Sequence, residues 1–248
     1  MAQGIVSSIT RMGTIEPFDL QVARGQITGH STVNIYGYQA NVATTFIPVW
    51  EVASAYTYPV AATQMHLSGS NGDTATITIS GLDANYNAIS ENLALNGTNA
   101  VTTTKSYFRI NNMLVAVGSA TNPAGAVTLK DLTDTTTYAR INAGVGRTQA
   151  GIYTVPAGYT FYLQRVNVYT SLNGNDFCTY QNKTISSSGV VQVTQQAAFP
   201  SVYEARRIMP RPFLEKTDIQ LQAKVGTGTG SVTVAQEGYL IRNNSVDA

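Results

Sequence analysis

Between Thr74 and Ile79 the chain alternates without a break, with Ala75, Ile77 and Ile79 on one side and Thr74, Thr76 and Thr78 on the other. A period of two is that of a strand with one face buried. Ser70-Asn-Gly-Asp73 before it and Ser80-Gly-Leu-Asp-Ala-Asn85 after it are rich in residues that tolerate turn conformations. Ile219 to Val225 repeats the pattern, apolar at every odd position and polar at every even one. From Phe161 to Val168 the apolar phase moves from odd to even positions after Leu163. That slip predicts a β-bulge near Gln164-Arg165.

The string Tyr153-Thr-Val-Pro-Ala-Gly-Tyr-Thr-Phe-Tyr-Leu163 predicts two strands joined by a rigid turn, because Pro156 fixes φ and removes a ladder donor while Gly158 supplies a permissive backbone. Further strands are expected over 45–50, 89–95, 107–110, 113–117, 126–129, 177–182, 190–194, 231–236 and 239–242. The fold class is therefore all-β, with one or two β-sandwich units. Residues 1–28 show neither period and read as an extended arm. Their apolar residues, Ile15, Phe18, Leu20 and Val22, imply packing on the body of the protein or on a neighbouring subunit. A polar, Gly-bearing stretch near 141 divides the remainder into 29–140 and 141–248. Pro200 to Ile208 is the best helix candidate and equally suits extended chain.

Composition turns this β protein towards contact functions. Charged residues are 12% of the chain, about half of the ~25% usual in soluble domains. Thr, Ser, Asn and Gln take their place. The formal net charge of +1 gives no reason to bind free nucleic acid. Fourteen tyrosines suit both strands and half-wet interfaces. Cys178, the sole cysteine, excludes an intrachain disulfide and a Cys-rich zinc site. No stretch approaches the ~18 apolar residues of a membrane span, and the opening residues do not read as a cleaved export signal.

Catalytic chemistry is hard to assemble from these residues. His30 and His66 have no cysteine or carboxylate at ligand spacing. No Gly-x-Ser-x-Gly occurs, and Cys178 sits in an apolar strand, where a thiol is inert. Asp73 and Asp83 flank one strand as a glycosidase pair might, but both occupy turn sequences and read as turn stabilisers. Gly144-Val-Gly-Arg147 and Gly226 to Gly230 lack the following helix of a phosphate loop. The expectation is a protein that is not an enzyme and needs no metal or cofactor.

One cluster stands out on a chain poor in charge: Arg206-Arg207-Ile-Met-Pro-Arg211-Pro-Phe-Leu-Glu-Lys216. It reads as a Pro-rigid loop, either solvated and paired with Glu204 and Glu215 or holding a neighbouring subunit, since arginine is enriched at interface anchors. Phe18, Leu20, Arg206, Arg207 and Arg211 are the candidate interface residues.

Tyr153 to Leu163, Ile208 to Ile219, Gln236-Glu-Gly-Tyr-Leu-Ile241 and Leu20 to Ser31 together resemble a family of tailed-bacteriophage virion structural proteins. The resemblance implies a non-enzymatic virion component with a jelly-roll or related sandwich in its second half. It also implies partners among other virion proteins, either the major capsid protein or further copies of this chain as a homo-oligomer. A head-associated decoration or cement role is favoured, since no fibre-shaft repeats are visible. The alternative is a tail or fibre protein that binds a host surface glycan, with Trp50, Tyr56, Tyr58 or Tyr86 as sugar platforms.

Overall fold

The structure, a computed structural model, describes residues 16–119, 121–172 and 176–243. Ile15 and the rest of 1–15 lie outside the described residues. The described chain is built almost wholly from antiparallel strands.

Eight strands form a two-sheet sandwich: β1 (His30–Val42), β10 (Ile152–Thr154), β11 (Tyr159–Thr170), β12 (Cys178–Ile185), β13 (Val191–Phe199), β14 (Val202–Phe213), β15 (Asp218–Val225) and β16 (Gly230–Arg242). One sheet runs β1-β16-β11-β14 and the other β10-β15-β12-β13, with the short β2 (Ile47–Pro48) also paired to β15. Taken in chain order, the first strand pairs with the last, the second with the seventh, the third with the sixth and the fourth with the fifth. That pattern is a long antiparallel hairpin rolled up, which is the jelly roll. Phe161, Leu163, Val166, Val168, Tyr180, Leu221 and Val234 fill the space between its sheets.

The jelly roll does not lie within 141–248 alone. Its first strand comes from residues 30–42, and Ile35, Val42 and Val49 belong to its core. The rest of the first segment forms a unit inserted between β1–β2 and β10. Its sheets are β6-β3-β8-β9 and β5-β4-β7, made from β3 (His66–Gly69), β4 (Thr76–Leu82), β5 (Ala88–Ala94), β6 (Val101–Thr102), β7 (Arg109–Val115), β8 (Val127–Lys130) and β9 (Thr137–Ile141). Met65, Leu67, Ile77, Ile79, Tyr107, Met113 and Leu129 make a separate core there.

Several local expectations hold. β11 shifts register between Leu163 and Arg165 against both neighbours, at the predicted bulge. Gly158 has φ of +76°, the left-handed region that a turn glycine serves. The alternating faces of β15 hold a correction, because its polar side is buried as well. Gln181 Nε2 donates to Gln222 Oε1 at 2.7 Å and Gln222 Nε2 to Gln220 Oε1 at 3.0 Å. Buried amides are tolerated when they satisfy one another.

Candidate contact surface

The arm is not extended where it is described. Residues Phe18–Ala23 form a helix, α1. Pro17 precedes it with φ of −56° and accepts the amide protons of Leu20 and Gln21 at 3.0 and 3.1 Å. Phe18 and Val22 are four residues apart, a single helical repeat, too little for a period to show in the sequence. Val22 is buried, Phe18 and Leu20 half-exposed. Phe18 meets Tyr239 edge-on at 5.3 Å, and the Tyr239 hydroxyl donates to Asp19. This part of the arm packs on its own body.

The basic segment is a strand rather than a loop. β14 is an edge of its sheet, where proline is permitted because its missing N–H removes no ladder bond. Arg206 is exposed and stands opposite Arg165 on β11. Arg207 and Arg211 instead reach across to β13 in the other sheet. Arg207 Nη2 donates to Gln195 Oε1 at 2.9 Å, Arg211 Nη1 donates to the Thr194 carbonyl, and Gln195 Nε2 donates to the Tyr203 hydroxyl at 2.8 Å. Two of the three candidate arginines therefore clamp the open side of the sandwich. Glu204 accepts from Tyr169 and Glu215 from the Gly158 amide, so neither is the expected ion-pair partner.

The structure does bring the arm and the basic strand together at one place. Asp19 of α1 and Arg206 line a concavity of about 540 Å³ with Arg165, Glu204 and Glu237 on the outer face of the four-stranded sheet. Phe18, Leu20, Arg207 and Arg211 are not part of it.

The proposed sugar platforms are largely removed. Trp50 and Tyr56 are buried at 1% and 9% exposure and pack with Ile152 and Tyr58, and Trp50 Nε1 donates to the Ser54 carbonyl at 2.9 Å. Tyr86 is half-buried edge-on to Phe108.

The acidic residues are occupied structurally. The Asp73 carboxylate accepts the amides of Ala124 and Gly125 at 2.8 and 2.9 Å. Asp83 accepts those of Asn85 and Asn87. His66 contacts Asp134 at 3.1 Å. Burial pushes the Cys178 thiol up to about 12, which keeps it protonated and unreactive. Among the described residues no group of three or more His, Cys, Asp and Glu is placed to hold a metal ion.

Sequence reasoning missed the seam between the two units. Arg109 of β7 binds Asp218 of β15 through two bonds, Nε to Oδ1 at 2.9 Å and Nη2 to Oδ2 at 3.0 Å, with both side chains buried. Thr154 donates to the same Oδ1 at 2.6 Å, and the Pro59 carbonyl accepts from Arg109 Nη1 at 3.2 Å. The guanidinium lies 4.0 Å from the Phe108 ring centre and 4.5 Å from that of Tyr58. An arginine inside the apolar run Tyr107-Phe-Arg-Ile110 was the available signal. A second acid, the half-buried Glu51, lies where the chain crosses between the units. Its Oε1 accepts the Gln149 amide while Oε2 is sealed without a partner, and burial raises its pKa to about 7.

No protein-family model and no curated protein sequence matches the chain. Solved structures similar to it include one titled as the structure of infectious bursal disease virus Gx strain, 11% identical over 95% of this chain and 79% of that one, with a TM-score of 0.20. Another is titled as the infectious bursal disease virus VP2 subviral particle, 10% identical over 92% and 83%, with a TM-score of 0.16. Likeness at this level carries no argument.

Proposed function

We propose that the protein is a non-enzymatic structural component of a tailed-bacteriophage virion, a head-associated decoration or cement protein acting through protein–protein contacts. The observation that carries this reading is the jelly roll with a second β unit inserted between its first and second strands. Jelly rolls recur in viral capsid and lectin domains. A fold alone does not assign a function, so the reading draws its further support from the surface. Here Trp50 and Tyr56 are buried, Asp73 holds the amides of the distant Ala124 and Gly125, and Asp83 holds its own turn. These features support contact over sugar chemistry.

The test is co-sedimentation of the purified protein with particles that lack it. Saturable incorporation is expected, and its absence at both low and high salt removes the virion reading. Screening on polysaccharide, ester, peptide and phosphoester substrates tests the non-enzymatic part. Turnover abolished by a single Asp or Glu substitution contradicts it.

A further inference from the structure

Ile208 and Met209 are 101% and 84% exposed. Their position explains why. Along β14 the pairing with β11 jumps from Arg206, opposite Arg165, to Arg211, opposite Leu163, so residues 207–210 stand against the single residue Gln164. The extra chain is thrown outwards as a knob. Arg207 and Arg211 are fixed to β13 on either side of it, and Pro210 stiffens it. An apolar tip held this rigidly loses little entropy on docking.

The opposite edge of the same sheet carries a complementary feature. Strand β1 is that edge, and Val33 to Tyr36 line a cleft of about 470 Å³. Consecutive strand residues point to opposite faces, so what these four share is the free edge of β1. Leu82 and Ile89 of the inserted unit form the far wall. Asn111 and Asn112 also line the cleft, but Asn111 is bonded to both backbone groups of Thr154 and Asn112 accepts from Thr148. Asn34, Ser80, Ser90 and Arg147 line it too, with Ser80 and Ser90 bonded to each other, so the part that suits an apolar guest is that of Val33, Ile35, Leu82 and Ile89. A ~150 Å³ apolar cavity takes benzene, so this cleft has room for two aliphatic side chains.

We infer that the Ile208–Met209 knob of one copy seats in the β1 cleft of a second copy. This rests on the proposed contact function, taken with further copies of this chain as the partner, and specifies that contact. The knob and cleft lie on opposite edges of a sheet about 14 Å wide, so the contact is head-to-tail and a pair keeps one free knob and one free cleft. Such contacts make rings or extended arrays rather than closed pairs. A patch of a few hundred Å² is well below the ~800 Å² per partner of a standard interface. An isolated pair is therefore weak, and the contact gains strength by repetition.

The test uses the full chain, with Cys178 buried and inert as background. Met209→Cys is mixed with Ser90→Cys, which places a thiol in the cleft lining. Under mild oxidation at high protein concentration the mixture gives a disulfide-linked dimer that neither variant gives alone, and the double variant gives a ladder of oligomers. Ile208→Asp with Met209→Asp, folded by circular dichroism, weakens wild-type self-association in sedimentation velocity by about tenfold or more. Cross-linking of Met209→Cys with itself, or self-association unaffected by the aspartates, overturns the knob-in-cleft contact while leaving the structural reading intact. A wild type that remains monomeric at every concentration overturns the contact as well, whereas failure of the structural reading is read separately, as absent incorporation into particles.

Discussion

Glu51 is the residue whose chemistry most depends on where the fold puts it. Its pKa, raised from the ordinary 4.5 to about 7 by burial, means that the folded state holds a proton which the unfolded chain has already released. Stability conferred by the neutral form is complete below about pH 4.5, falls as pH rises towards 7 and levels off above it. The loss amounts to about 3 kcal/mol at most. Glu51→Gln, which cannot ionise, should flatten this dependence and raise the urea midpoint at pH 8 more than at pH 5. Equal midpoint changes at both pH values would place the carboxyl in solvent. Gly158 is a second residue-scale test. A Cβ there meets nothing within 4 Å, so Gly158→Val isolates the cost of φ +76° for a β-branched residue. A loss of more than about 1 kcal/mol is expected, read as a lowered melting temperature.

At the scale of elements, the strands legible in the sequence are those whose polar face is Thr or Gln and whose apolar face is aliphatic. β4 and β15 come close to that condition, and in β11 the phase slip located the bulge. β1 was hidden because its inward positions after Ile35 are Gly37 and Gln39. Gly37 is required there, since a Cβ would lie 2.3 Å from the Val49 carbonyl oxygen. β14 was hidden by charge and proline, whose tolerance depends on its being an edge, and edges are decided only by the whole topology. The same topology separates the arginines that sequence had grouped. Arg207→Ala with Arg211→Ala should cost about 1–3 kcal/mol, because charge-assisted bonds that tie β13 to β14 are lost. Arg206→Ala should stay within about 0.5 kcal/mol, as for other exposed positions. Thermal unfolding of the two variants distinguishes clamp from surface.

The whole molecule depends on how two separately cored units are joined, and no periodicity in the sequence encodes that junction. Arg109 and Asp218 are 109 residues apart and meet with both side chains buried. Such a pair recovers its desolvation cost only when every bond is made. Here Thr154, the Pro59 carbonyl and the Phe108 and Tyr58 rings complete the set. Asp218→Ala should therefore cost about 3–5 kcal/mol, because it leaves a guanidinium buried without its counter-charge. Arg109→Met should cost a similar amount through the orphaned carboxylate. The double variant should lose much less than the sum, since replacing both partners removes the desolvation cost along with the attraction. Urea unfolding of the four proteins completes the cycle, and strictly additive losses would mean that the pair is solvated and the seam is held by its apolar contacts. If Asp218→Ala instead separates one unfolding transition into two, the junction is what makes the jelly roll and its inserted unit fold as one cooperative body.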